Sequence, residues 1–279
     1  LWFFSNCRLS GQKERGHTGG VLQGKTHHFG GIDHTGLGEV LILLGLGVET
    51  YSTLLILETL NHNRTLVTGI VGNTIEMEKK GLPMPKSYAD LLNPVYKGSL
   101  VMPNPASSGT GFLTFSAILQ IMGEEKGWDF LDQLHENIAM YTHSGSKPAK
   151  MAGKGEFPIG VSFAYRGFKQ RDKGEPVVVA FPSEGSGYEV EANALMKKPR
   201  IKKDAKVFLD WAISDEAMAM YAKVYPIVAT DIKVEAPKGW PDNPMSVLID
   251  NDMDWAANNR KRILKEWTKR YDAKSAPKK

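Results

Sequence analysis

The chain has one cysteine and no long hydrophobic run, and both shortages exclude classes of structure. Because Cys7 is its single cysteine, the chain has no internal disulfide and no zinc site built from several cysteines. A membrane-spanning helix needs roughly 20 consecutive apolar residues. The stretch from Val40 to Val48 is too short and is interrupted by glycines. Leu1 to Phe4 lack the basic leader and cleavage site of a signal peptide, so we expect any such peptide to be absent from this chain.

An excess of one charge is also lacking. The 35 basic and 31 acidic side chains give a net charge of +4 and are interspersed along most of the sequence. Nucleic-acid binding needs basic side chains concentrated on one face, so we expect no nucleic-acid partner. A hydrophobic content of 42% is enough for a substantial core, either in one large domain or in two lobes.

Residues 1–65 differ in composition from the rest of the chain. Glycine is frequent there, helical periodicity is poor, and most of the histidines lie there: His17, His27, His28, His34 and His62. The histidine pair with His34 is a candidate metal site. Histidines without regularly spaced acidic or cysteine partners are usually surface residues, however, so we predict no metal and no cofactor.

Beyond Leu66 the pattern alternates between strands and helices. Strands are predicted at 66–71, 98–102, 140–142, 159–163, 177–181 and 189–195, and helices at 74–80, 88–92, 112–122, 127–136, 147–153, 203–213, 214–224 and 252–271. The apolar spacing of the last helix is amphipathic, and we expect it to pack against a lobe. Such alternation predicts an α/β fold with mainly parallel sheets.

Three turns between a predicted strand and the residues after it carry polar side chains. They are Ser107 to Gly111, His143 to Ser146, and Phe163 to Arg166. In open parallel sheets, ligands collect at the carboxyl ends of the strands. The unpaired N–H groups and the dipole of a helix start favour an anion there. The alternative interpretation, that these serines are ordinary helix caps, stays open.

The sequence also resembles one family. The resemblance lies in Asn73-Thr74-Ile75-Glu76, residues 82–92, Tyr96-Lys97-Gly98, residues 141–146 and residues 187–192. These segments are similar to the periplasmic solute-binding proteins of ABC importers. The match is to the two-lobed type II branch, which includes ferric-ion, hexose-phosphate and 2-aminoethylphosphonate binders. It covers about residues 66–279 and does not extend to residues 1–65.

The resemblance implies two α/β lobes joined by crossover strands. It places residues 1–95 and 191–279 in lobe I and residues 96–190 in lobe II. Since the first 65 residues do not match, lobe I is expected to be incomplete or atypical. Thr18, in His17-Thr18-Gly19, is interpreted as the remnant of a ligand-binding turn. The family further implies a monomer in the periplasm whose partners are a small anionic or zwitterionic ligand and a permease of the inner membrane.

We predict ligand-binding roles for a set of residues in the predicted turns and strands: Ser107, Ser108, Gly109, Thr110, Ser144, Ser146, Tyr165, Glu189 and Thr18. The hydroxyls and backbone N–H groups are assigned to a phosphonate, and Glu189 to a ligand ammonium. For Glu189 and Glu191 a surface position or an internal ion pair remains the alternative. Arg166 is interpreted either as a phosphonate neutraliser or as a surface residue.

Two departures bear on the ligand. Ferric binders carry adjacent tyrosines where this chain has Phe163, Ala164 and the single Tyr165, which disfavours iron. Phosphonate binders commonly have an aspartate at the position of Ala164, so selectivity for the amine depends on Glu189.

No catalytic residues are predicted. Gly109-Thr110-Gly111 lacks the lysine of a phosphate-binding loop, and Gly160-Val161-Ser162 lacks the second glycine of a nucleophile elbow. The sequence therefore predicts a binding protein for a small organophosphonate such as 2-aminoethylphosphonate. A hexose-phosphate, ferric or polyamine binder, a phosphate-ester enzyme and a non-functional truncated lobe are the alternatives.

Overall fold

The computed structural model describes residues 3–4, 57–196, 200–233 and 235–277. The predictions for Cys7, Thr18 and the histidines between positions 17 and 34 lie outside these residues. The described residues form two compact units. The first unit comprises those up to Thr65 together with Val190–Pro237 and Met253–Asn258, and the second comprises Leu66–Glu189, Lys238–Asp252 and the residues from Asn259 onward.

Strands and helices alternate along most of the described chain. In order they are β1 (Phe3–Phe4), β2 (Leu57–Asn73), α1 (Thr74–Lys79), β3 (Leu100–Pro103), α2 (Gly109–Met122), α3 (Glu124–Asn137), β4 (Ile138–Thr142), α4 (Lys147–Gly153), β5 (Ile159–Phe163), α5 (Ala164–Arg171), β6 (Val177–Ala180), β7 (Tyr188–Met196), α6 (Lys203–Trp211), α7 (Asp215–Ala222) and α8 (Met253–Tyr271). Short 3-10 turns occupy Ala89–Leu92, Pro94–Tyr96, Pro244–Val247 and Asp272–Lys274.

Two of the boundaries between the units fall inside strands. β2 continues from the first unit into the second after Thr65, and β7 returns to the first at Val190. The lobe boundary that the sequence predicts at residues 190–191 lies next to the second of these. Residues 66–95 and most of α8 belong to the same unit as residues 96–189, whereas the sequence predicts them in the other lobe. The assignment of residues to lobes I and II stays a prediction.

The sheet of the second unit sets the direction of its helices. β3 lies between β4 and β5 and pairs in parallel with both, with Val101 opposite Met140 and Leu100 opposite Ile159. β2 pairs antiparallel with β5 and with β6. The carboxyl ends of β3, β4 and β5 therefore meet at one edge, where α2, α4 and α5 begin.

One helix was not predicted from the sequence. Phe163 to Arg166 was interpreted as a turn, whereas α5 begins at Ala164 directly after β5. The helix lies close to the sheet because glycines leave room for it: a Cβ on Gly69 would lie 3.2 Å from that of Ala164, and one on Gly167 would lie 2.7 Å from the Val71 side chain. α5 is only eight residues long and mostly polar in composition, so the sequence has no apolar run that would mark it as a helix.

The second half of α8 is packed into the core of the second unit, as its amphipathic spacing predicts. Ile263 and Trp267 are fully buried. The Trp267 ring centroid lies 5.1 Å from that of Tyr141 on β4 and 6.0 Å from that of Phe115 on α2. Within the described residues, no helix has the length and apolar character needed to cross a membrane.

The first unit is held by polar as well as apolar contacts. β1 pairs antiparallel with β7. On β2, the Arg64 guanidinium forms an ion pair with Glu191 of β7. The same guanidinium lies over the rings of Tyr221 and Tyr225, at 4.8 and 4.7 Å from their centroids.

Replacing Trp267 by alanine tests the role of α8. The change removes a fully buried indole from between two aromatic rings, so we expect the free energy of unfolding to fall by about 3–5 kcal/mol. Urea denaturation followed by circular dichroism measures it. Lys261→Ala, an exposed position of the same helix, is the control and should change the value by less than about 0.5 kcal/mol. Equal effects of the two changes would contradict the packing.

Candidate functional site

Three helix starts share one edge of the sheet in the second unit. They are the starts of α2, α4 and α5, which follow β3, β4 and β5. Six of the predicted ligand-binding residues lie at the first two of these starts: Ser107, Ser108, Gly109, Thr110, Ser144 and Ser146. Tyr165 lies in the first turn of α5. The sheet thus brings together groups that are separated by more than fifty positions in the chain.

The turn before α2 is packed tightly against the end of β3. A Cβ on Gly111 would lie 2.6 Å from the carbonyl oxygen of Pro103, so only glycine permits this approach. Ser108 occupies the N-cap position, yet its side chain makes no capping hydrogen bond to the helix. The Ser108 hydroxyl therefore does not cap α2 by a hydrogen bond, and its role in ligand binding stays a prediction.

The turns before α2 and α4 contact each other through Gly145. A Cβ on Gly145 would lie 2.6 Å from the Cβ of Thr110 and 3.0 Å from the hydroxyl oxygen of Ser108, so the two side chains fill the space beside the glycine. The Ser162 hydroxyl donates to the Gly145 carbonyl at 2.6 Å and fixes this turn from β5. Ser144 and Ser146 have their hydroxyl oxygens 3.3 Å apart.

A histidine joins the same two turns. The Nδ1 atom of His143 lies 2.7 Å from the hydroxyl oxygen of Ser107. Its Nε2 atom lies 2.7 Å from the carbonyl oxygen of Ala276, close to the end of the described chain. The ring is thus held on both sides, by the turn before α2 and by the segment after α8.

Asn104 ties the turn before α2 to the same C-terminal segment. The side-chain oxygen of this buried residue accepts from the backbone N–H groups of Ala106 and Ser107, at 2.7 and 3.2 Å. Its amide nitrogen donates to Asp272 at 3.2 Å and to the Ser275 hydroxyl at 2.9 Å. The polar groups of Asn104 therefore fix the conformation from which Ser107 and Ser108 project.

Tyr165 and Arg166 lie together at the start of α5. The Arg166 guanidinium lies over the Tyr165 ring, 4.7 Å from its centroid. Arg166 is half-buried, and its Nε atom is buried with no hydrogen-bond partner among the described residues. Arg166 is therefore partly buried, and its role as a phosphonate neutraliser stays a prediction. Gln170, one turn later on the same helix face, packs against Gly153 of α4, which places Arg166 on the side of α5 that faces α4.

The two glutamates of β7 differ in their surroundings. Glu191 is in the internal ion pair with Arg64, and burial raises the pKa of its carboxyl although the guanidinium opposes the shift. Glu189 is half-buried and lies two residues after Gly187. A Cβ on Gly187 would lie 2.9 Å from the carbonyl carbon of Leu113, so this part of β7 is pressed against α2. Since residues two apart in a strand share a face, Glu189 and Glu191 project from the same side of β7.

The metal hypotheses find no support in the part of the chain that is described. No group of three histidine, cysteine, aspartate or glutamate side chains is close enough there to hold an ion. Tyr165 lies beside Arg166, whose guanidinium is over its ring, and beside the Phe163 ring, whose centroid is 5.8 Å away.

Comparison with known proteins agrees with this architecture. The family model described as "Bacterial extracellular solute-binding protein" matches residues 64–248. The chain belongs to this family. The resemblance to periplasmic solute-binding proteins and the type II α/β fold are thereby confirmed.

Solved structures in the same family share the fold. The periplasmic binding protein AfuA from Actinobacillus pleuropneumoniae, solved with fructose 6-phosphate bound, is 30% identical with a TM-score of 0.68, and the match covers 76% of this chain and 68% of that one. The periplasmic binding protein P5PA is 28% identical with a TM-score of 0.67, and the match covers 77% of this chain and 69% of that one.

Among curated proteins, an uncharacterized protein of Haemophilus influenzae is 31% identical over 73% of this chain, and the match spans 61% of the length of that relative.

Two residues of the site were missed by sequence reasoning as contributors of side chains. His143 begins one of the predicted polar turns but has no predicted role of its own, and Asn104 is not among the predicted site residues. A polar side chain at the end of a parallel strand was the available signal for both. The partners Asp272, Ser275 and Ala276 carried no signal, because they are distant in sequence.

Replacing Asn104 by alanine tests whether it fixes the turn. The change leaves two backbone N–H groups and two side-chain partners without Asn104, so we expect the free energy of unfolding to fall by about 1–3 kcal/mol. Chemical denaturation measures it. Asn243→Ala is the matched control, because Asn243 is exposed and its side-chain oxygen accepts from the Met245 N–H within a local turn. A loss no greater than that of the control would show that Asn104 is not the group that holds the turn.

Proposed function

We propose that this protein is the solute-binding component of an ABC importer and that it captures a small organic phosphate or phosphonate. It would act in the periplasm, as a monomer, and deliver the solute to a permease in the inner membrane without catalysing a reaction. Membership of the extracellular solute-binding family supports this role.

The observation that carries the ligand class is the contact between the two hydroxyl-rich turns at Gly145. A tetrahedral oxyanion at this edge would meet the backbone N–H groups of the α2 start and the hydroxyls of Ser108 and Thr110. Residues 104–111 and 143–147 contain no acidic side chain that would repel it. Arg166 supplies a cation on the neighbouring helix, and no ion pair of the described residues uses it.

The organic part of the ligand separates two candidates. Glu189 is half-buried and carries a negative charge suited to an ammonium, which favours 2-aminoethylphosphonate. The bound fructose 6-phosphate of AfuA favours a hexose phosphate instead. Ferric ion would need more phenolate ligands than Tyr165 provides.

Isothermal titration calorimetry with 2-aminoethylphosphonate, fructose 6-phosphate, inorganic phosphate, spermidine and ferric ion tests the proposal. We expect saturable binding of at least one of the two organic anions, and no release of phosphate on prolonged incubation. Binding of only spermidine or iron would contradict the ligand class. Turnover of a phosphate ester would favour an enzyme, and absence of all binding by a folded protein would favour a non-functional lobe.

The hydroxyls of the α2 start are tested by Ser108→Ala and Thr110→Val. Each change removes a hydroxyl with little change in shape, so we expect binding of the organic anion to weaken by about 1–3 kcal/mol, the range for a hydrogen bond to a charged group. Calorimetry measures the affinity. Thr268→Val, on the exposed side of α8, is the control and should leave it unchanged. Unaltered affinity in both site variants would place the anion elsewhere.

The carboxylate is tested by Glu189→Gln. If Glu189 pairs with the ligand amine, the change should weaken 2-aminoethylphosphonate by at least about tenfold relative to ethylphosphonate, because only the amine loses a charged partner. The ratio of the two affinities cancels general damage to the fold. Glu191→Gln is the matched control, since Glu191 is already paired with Arg64, and it should leave the ratio unchanged. If Glu189→Gln has the same ratio of affinities as the unchanged protein, the Glu189 carboxylate does not bind the ligand amine and has a structural role instead.

A further inference from the structure

The hydrogen bonds of His143 fix where its protons lie. A carbonyl oxygen can only accept, so the contact of Nε2 with the Ala276 carbonyl requires a proton on Nε2. In a neutral imidazole, Nδ1 then has no proton and accepts a hydrogen bond. The hydroxyl of Ser107, 2.7 Å from Nδ1, must therefore be the donor.

This arrangement decides what Ser107 can offer to an anion. While His143 is neutral, the single hydroxyl hydrogen of Ser107 points to the ring, and only oxygen lone pairs remain for the ligand. When His143 is protonated, both ring nitrogens donate. The Ser107 oxygen then accepts from Nδ1, and its hydrogen is free to donate to an oxyanion. The protonated ring also brings a positive charge to the turn.

We propose that His143 couples anion binding to the uptake of one proton. It would thereby be a specificity-determining residue, because the protonated ring favours an oxyanion at the turn. The proposal rests on the proposed function, because it assigns the anion to the turn that contains Ser107. Protonation of His143 frees the Ser107 hydrogen and adds a positive charge to the turn. Binding of an oxyanion should therefore strengthen as the pH falls, by more than the ligand's own protonation explains.

The charged groups beside the ring do not provide an alternative switch. Lys147 lies at the start of α4, and Asp272 and Lys274 lie on the C-terminal turn. The Asp272 carboxylate accepts from Asn104 and from Ser275, and the Lys274 ammonium donates to the His135 carbonyl. His135 itself is stacked on Tyr141 and away from these turns, and burial lowers the pKa of its imidazole.

Calorimetry with fructose 6-phosphate and with 2-aminoethylphosphonate, at pH 6 and pH 8, tests the coupling in the unchanged protein, in His143→Gln and in Ser107→Ala. The ligand's own titration is common to the three proteins and cancels in the comparison. We expect His143→Gln to weaken binding about tenfold at pH 6, as for the loss of one charge-assisted hydrogen bond, and to have little effect at pH 8. Ser107→Ala should show the same reduced dependence on pH as His143→Gln.

The number of protons taken up, obtained from titrations in buffers of different ionisation enthalpy, should be higher in the unchanged protein than in His143→Gln. Equal affinity ratios between pH 6 and pH 8 in these two proteins would overturn the coupling while leaving the proposed function intact. Failure of the unchanged protein to bind either probe at both pH values would overturn the proposed function and the coupling with it.

A second measurement is independent of binding. Nitrogen NMR of the imidazole in the free protein should show the neutral tautomer with its proton on Nε2 at pH 8. A ring with its proton on Nδ1 would overturn the assignment of Ser107 as the donor, and with it the proposal.

Discussion

The close approach of the turns before α2 and α4 is the contact on which the candidate site depends. Gly145 has no side chain, so the Thr110 and Ser108 side chains occupy the space beside it. Any larger residue would push the turns apart. Because the two turns follow neighbouring parallel strands, they lie at the same edge of the sheet.

The residues that follow α8 hold the turns before α2 and α4 in place. Asn104 and His143, one in each turn, form hydrogen bonds with the residues that follow α8. The buried rings of α8 fix those residues against the core. A segment more than 120 residues away in sequence therefore sets the geometry of the turns, and damage to its packing should reach the site without touching a ligand-binding residue.

Electrostatics at this edge fits an anionic solute. The turns contain no acidic side chain, whereas Arg166 lies on the neighbouring helix without an acidic partner among the described residues. Arg64, by contrast, is paired with Glu191 and lies over the rings of Tyr221 and Tyr225. The Arg64 guanidinium therefore belongs to a structural ion pair, whereas that of Arg166 lies over the Tyr165 ring and is in no ion pair of the described residues.

The sequence alone determined the class of fold, the order of most strands and helices, and the turn at Ser107 to Gly111, because these depend on local periodicity and on residues adjacent in the chain. It did not determine α5, which lies close to the sheet because Gly69 on β2 and Gly167 in the helix itself leave room for it, or the positions of His143 and Asn104. Only the tertiary structure decided which hydroxyls lie close together and which form hydrogen bonds to other groups of the protein. Contacts such as that of His143 with Ala276 join residues distant in sequence, and no local pattern records them.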